Sequence, residues 1–147
     1  MKDVNLKVDN RRLTLRDIPG LEAKGQARCK VKALEIDGRC PVLSQLLKWK
    51  RNLPADYKKI MKVMRFVESL DRVRDKNHVK PSDNPSHANV YEMRAHKGHA
   101  RLMFFYHKGQ AIAVCTNPYT KAKTSHAEQD QAFALCNRLR VLFEQES

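Results

Sequence analysis

Residues 90–107 read VYEMRAHKGHARLMFFYH, and apolar positions recur every second residue on both sides of Lys97-Gly98. A period of two is that of a pleated strand, whose successive side chains leave opposite faces. The spacing predicts strands over 90–96 and 99–107 with a turn at Lys97-Gly98, and a third over 110–117 beyond a second turn at Lys108-Gly109. Connections this short join antiparallel strands, because a parallel pair needs a crossover of a dozen residues or more. The stretch is therefore a three-strand meander.

Upstream the period changes. Pro41 suits a helix start, and Val42, Leu43, Leu46, Leu47 and Leu53 trace an apolar face with Trp49 near its edge. Pro54 opens a second helix, in which Tyr57, Ile60, Val63, Met64, Val67 and Leu70 keep helical spacing. Lys58, Lys59, Lys62 and Arg65 take its other faces as a solvated surface, so the pair reads as a helical hairpin. Before it, Cys29 to Ile36 reads as a strand closed by Asp37-Gly38. Between hairpin and meander, residues 74–89 are polar and broken by Pro81 and Pro85, which predicts a surface loop. Downstream, Ser125 and Glu128 form a capping box ahead of a last helix carrying Ala132, Leu135, Cys136, Leu139, Leu142 and Phe143.

The expected fold class is α+β: an antiparallel sheet, made of an N-terminal strand plus the meander, packed against a helical hairpin and a C-terminal helix. Residues 29–147 form this domain. Residues 1–28 are an extension, either mobile or folded as a short hairpin through Val4, Leu6 and Val8, then Asp9-Asn10, then Leu13 and Leu15.

The 147 residues suffice for one core. They hold 29 Lys and Arg against 16 Asp and Glu, a net charge of +13. Such an imbalance draws polyanions through phosphate contacts and counterion release, with nucleic acid the leading partner ahead of a membrane surface or an acidic protein. No run approaches the roughly 18 apolar residues of a membrane span, and MKDVNLKVDNRR lacks the apolar core of a signal peptide, so a cytoplasmic protein is expected. Cys29, Cys40, Cys115 and Cys136 form no C-x-x-C pair, and His126 is too distant from them for a local zinc clip. Four reduced thiols, no metal and no cofactor are expected.

Between residues 90 and 124 stand Arg94, Lys97, Arg101, Lys108, Lys121 and Lys123, with His96, His99 and His107, against a single acid, Glu92. Alternation sets Glu92, Arg94 and His96 on the face opposite Tyr91, Met93 and Ala95. Arg101 interrupts an apolar row of Met103, Phe105 and His107. It either waits for an anion or pairs with Glu92 across the hairpin, and both readings stay open. Cutting RNA needs a group to take the 2'-hydroxyl proton, cations around the crowded phosphorane and a donor for the leaving 5'-oxygen. The candidate catalytic groups are Arg94, His96, His99, Arg101, Lys121 and Lys123. Lys97, His107, Lys108 and Tyr119 are candidate RNA contacts, Tyr119 as a platform for a base. The loop from Asn117 to Thr124 enters a helix and adds free backbone N–H groups.

The stretch from Val90 to Phe143 resembles the phage-derived, HigB-like branch of the RelE/ParE toxin superfamily. The likeness rests on V-Y-E-M-R at Val90 to Arg94, A-R-L-M-F-F-Y at Ala100 to Tyr106, and K-x-K-T at Lys121 to Thr124. It extends more loosely back to about Cys29, in the order of elements. It implies a RelE-like sheet whose concave face grips RNA, and ribosome-dependent cleavage of messenger RNA that inhibits translation. It also implies a cognate antitoxin as partner, expected to be a small helix-turn-helix protein. Arg94 and Arg101 then become phosphate or transition-state contacts, and Lys121 and Lys123 the basic residues before the last helix. No tyrosine follows Lys123, so the C-terminal tyrosine of some relatives has no counterpart, and the general base stays open among His96, His99 and a lysine. The alternative within the superfamily is a ParE-like toxin that poisons DNA gyrase by binding, or an inactive relative that only binds.

Overall fold

Proline fixes φ near the helical value and has no N–H to satisfy, so it is well placed in a first helical turn. Pro41 and Pro54 open the two helices of the hairpin, α1 (Pro41–Asn52) and α2 (Pro54–Ser69). The computed structural model describes residues 11–21, 27–69, 77–122 and 126–146. Its strands are β1 (Leu13–Asp17), β2 (Lys30–Ile36), β3 (Val79–Pro81), β4 (Val90–Arg94), β5 (Ala100–His107) and β6 (Ile112–Thr120), and the last helix is α3 (Ala127–Glu146).

The strands form one sheet in the order β1-β2-β6-β5-β4-β3. The meander β4-β5-β6 is antiparallel as its short turns require, and β2 adds to β6 in parallel. That parallel pair is closed by the long connection through the hairpin and the meander. The α+β class is the one the sequence predicts, but the parallel β2-β6 pair makes mixed a sheet expected to be antiparallel. The sheet is wider by an edge strand on each side: β1 pairs with β2, and Val79–Pro81, read from sequence as loop, pairs with β4. Proline is tolerated at Pro81 because an edge strand has no neighbour to receive its missing N–H.

Alternation sorts the strand residues between two cores. Tyr91, Met93, Leu102, Phe104 and Cys115 pack under α1 and α2 with Trp49, Ile60 and Met64. Val90, Met103, Phe105 and Val114 face α3 and pack on Phe133, Cys136 and Leu139. Helices thus cover both faces, so the α3 side is a partly covered face and not an open concave grip. The register slips at Thr116: Phe104 opposes Cys115 while Met103 opposes Asn117. One extra residue in a strand changes which side chains face which way beyond it. As a result Asn117 and Tyr119 lie on the α3 face, where Asn117 Nδ2 donates to the Ala132 carbonyl (3.1 Å) and fastens the helix to the sheet.

Cys29, Cys115 and Cys136 are buried free thiols and Cys40 is half-buried. Burial pushes Cys29 up to about 11 and Cys136 up to about 12, which keeps them protonated and unreactive at neutral pH. Among the described residues no helix is long and apolar enough to cross a membrane. The expected hairpin through Val4, Leu6 and Val8, and the capping residue Ser125, lie outside the described residues.

Candidate functional site

Glu92 has no exposed surface. A carboxyl group so placed is costly unless its oxygens are satisfied. Three donors from three elements satisfy them: Tyr119 Oη of β6 donates to Oε2 (2.9 Å), and Gln129 Nε2 of α3 donates to Oε1 (3.2 Å). Arg94 Nε of the same strand stands 3.3 Å from Oε1. Burial, reinforced by Glu92, raises the Tyr119 phenol far above its ordinary value, so it stays a protonated donor. The base-stacking role expected of Tyr119 must share the ring with this hydrogen bond.

Arg101 is directly opposite Arg94 in the β4-β5 register and is 5% exposed. Its partner is not Glu92. Arg101 Nη1 donates to the carbonyls of Ala100 (2.9 Å), Gly98 (3.2 Å) and Ala95 (3.4 Å), which holds the turn between the two strands. Burial, then the charge of Arg94, lowers its pKa, with Glu92, Tyr119 and Asp56 acting the other way. An arginine starts so high that it remains charged.

Lys80, Arg94, Arg101, Tyr119, Lys121, His126 and Gln129 surround a cavity of about 60 Å³ at the N-terminal end of α3. At roughly 10–15 Å³ per water it holds about five waters. That is room for a phosphoryl group. A larger hollow, about 330 Å³, lies between Ser82–His87 and α3, but Asp83 and Asp130 line it, which unsuits it to a polyanion.

The turn that presents this cluster is docked on the hairpin. Buried Asp56, in the first turn of α2, accepts from the amides of His99 (2.5 Å) and Ala100 (2.8 Å). Gly98 packs so tightly there that a Cβ would stand 2.6 Å from Asp56 Oδ1. On the other side Lys121 N donates to the His99 carbonyl (2.7 Å), and His99 Nδ1 is 3.0 Å from the Lys121 carbonyl. A carbonyl only accepts, so Nδ1 carries the hydrogen in this contact.

Of the residues singled out from sequence, Arg94, Arg101, Lys121 and Tyr119 meet in the cleft, and His99 is tied to its rim. The others stand apart. β4 stops at Arg94, and the turn that follows diverts His96 from the alternation. Its ring lies 6.0 Å from that of His78, itself 6.3 Å from Phe66 of α2, while its carbonyl accepts from Lys59 Nζ (2.8 Å). Lys97 is exposed at the tip of the turn with φ +63°. His107 packs edge-on against Phe143 at 4.9 Å, and Lys108 is in the next turn. Six residues of strand separate His107 from Arg101, roughly 20 Å. Lys123 lies outside the described residues. Lys80, His126 and Gln129 join the cleft without having been singled out for it, since a three-residue strand and a helix entry give no periodic signal.

Such a site concentrates cations around a phosphoryl-sized space, with the His99 imidazole held beside it through the Lys121 carbonyl. No curated protein and no solved structure shows significant similarity to the chain. Residues 48–137, well over half of the chain and containing every residue of the cleft from Lys80 to Gln129, match the family model described as Phage derived protein Gp49-like (DUF891), and the chain belongs to that family.

Proposed function

We propose that this protein is the toxin of a type II toxin–antitoxin pair, of the HigB-like branch, and that it stops translation by cutting messenger RNA on the ribosome. The observation that carries this reading is the placement of Arg94 directly opposite the buried Arg101 at a cleft of phosphoryl size. Like charges set opposite each other disfavour a strand pair, and a phosphoryl group in the cleft would add its negative charge to that of Glu92 in offsetting them. In the reaction the 2'-oxygen attacks the adjacent phosphorus and loses its proton to His99 Nε2. The P–O5' bond breaks, and the leaving oxygen takes a proton from a donor at the cleft or from water. The products are a 2',3'-cyclic phosphate and a 5'-hydroxyl. Arg94 and Arg101 bear on the charge that builds on the phosphorane oxygens, with Lys80 and Lys121 adding field.

The partner that restrains it is an antitoxin, and the net charge of +13 favours an acidic one. Membership of a phage-derived family supports the toxin reading. Induction in cells separates this reading from gyrase poisoning: messages shortened while chromosomal DNA stays intact support it, and intact messages with double-strand DNA breaks overturn it.

A further inference from the structure

We infer that Glu92 is a positioning residue, a buried carboxylate that aims the Arg94 guanidinium into the cleft. The inference rests on the nuclease reading for its kinetic consequence and on geometry alone for the positioning itself. Glu92 lacks exposed surface, so it touches no substrate; its effect must pass through a neighbour. Of its three partners, Tyr119 and Gln129 come from β6 and α3 and fix the carboxylate from outside its own strand. The third, Arg94, is one quarter exposed and lines the cavity. An arginine two residues along the same strand shares the face of Glu92, so the carboxylate meets its Nε while the side chain lines the cavity. The carboxylate also places a counter-charge beside two arginines that would otherwise repel each other. The arrangement holds a cation in place before any RNA arrives, which is where oriented charge is most effective in catalysis.

The test follows Arg94 directly. In wild-type protein its Nε–H signal in ¹⁵N-edited NMR is expected to be ordered and slow to exchange. Glu92→Gln keeps an acceptor for Tyr119 but loses the charge, and that signal is expected to become mobile and fast to exchange. On ribosomes programmed with message, Glu92→Gln is expected to lower kcat by roughly 10- to 100-fold with KM within about two-fold. In an Arg94→Ala background the same change is expected to lower kcat by less than about three-fold, because its route is already gone. Tyr119→Phe, which removes one donor while keeping the ring, is expected to loosen the Arg94 signal and lower kcat by several-fold, and it decides the matter if Glu92→Gln does not fold. An unchanged Arg94 signal overturns the inference. So does an equal kcat loss in both backgrounds, or a loosened signal without kinetic effect. If wild-type protein cuts no RNA, the nuclease reading fails, and the NMR comparison still decides whether Glu92 positions Arg94.

Discussion

Arg94 and Arg101 are paired residue to residue across β4 and β5, yet Glu92 meets only the first of them as an ion pair, through Nε at 3.3 Å. Arg101 instead spends Nη1 on three backbone carbonyls of the turn. The two cations therefore do different work: one is held by a buried carboxylate, the other braces the loop that carries His99.

An oxyanion that enters between them should stabilise the fold. Sulfate or inorganic phosphate at about 100 times its dissociation constant contributes about 2.7 kcal/mol, which for a domain of this size raises Tm by roughly 5–10 °C. Melting curves against chloride of equal ionic strength check this. Arg94→Ala should abolish the difference, and an equal rise in that variant would show that the anion binds elsewhere.

Arg101→Ala should damage stability as well as activity. Burial makes this unlike an exposed ion pair, which contributes under about 1 kcal/mol. Loss of charge-assisted bonds to the turn should cost about 2–4 kcal/mol, and the remaining folded protein should cut about 100-fold more slowly. Arg101→Lys should fall between, since an ammonium lacks the planar fork. Urea unfolding together with cleavage rates normalised to folded protein separates the two effects.

Gly98→Ala tests the docking of the turn on α2. A Cβ 2.6 Å from Asp56 Oδ1 forces that carboxylate away from the His99 and Ala100 amides. The expected cost is about 1–3 kcal/mol, and the displaced His99 should also lower kcat. Wild-type stability in this variant would mean the turn has room the structure does not show.

Acid should loosen the β1 edge first. Arg16 and Thr14 hold Glu35 below the usual carboxylate range, and Lys32 does the same for Asp17. Groups whose folded values are lowered contribute above their unfolded values, and the contribution fades as pH falls through the folded ones. Amide exchange of Leu13–Asp17 should therefore quicken below about pH 4, before β5 and β6 respond. Uniform protection across the sheet down to about pH 3 would contradict this.

Much of this was legible in the residues themselves. The alternation from Val90 to His107 gave the meander, and Glu92 and Arg94, two residues apart, had to share a face. His96 did not follow that rule, because β4 ends at Arg94 and a turn has no period. Tyr119 reaches Glu92 only because the extra residue at Thr116 reverses the parity of β6, and a bulge leaves no mark in a hydrophobic pattern. Lys80 belongs to a strand of three residues whose pairing with β4 is long-range. Arg101 was legible as a misplaced cation on an apolar row. Its bonds to Ala95, Gly98 and Ala100 depend on how tightly the turn closes, which docking on Asp56 decides.

The central claim is that the paired arginines cut message on the ribosome, and purified protein with ribosomes paused on a defined message tests it most directly. Wild-type protein is expected to yield a discrete 3' fragment with a 5'-hydroxyl, and Arg94→Ala, its rate normalised to folded protein because the change strips the buried Glu92 of its ionic partner, is expected to yield that fragment about 100-fold more slowly. Intact message with wild-type protein, or equal cutting by both proteins, would contradict the account.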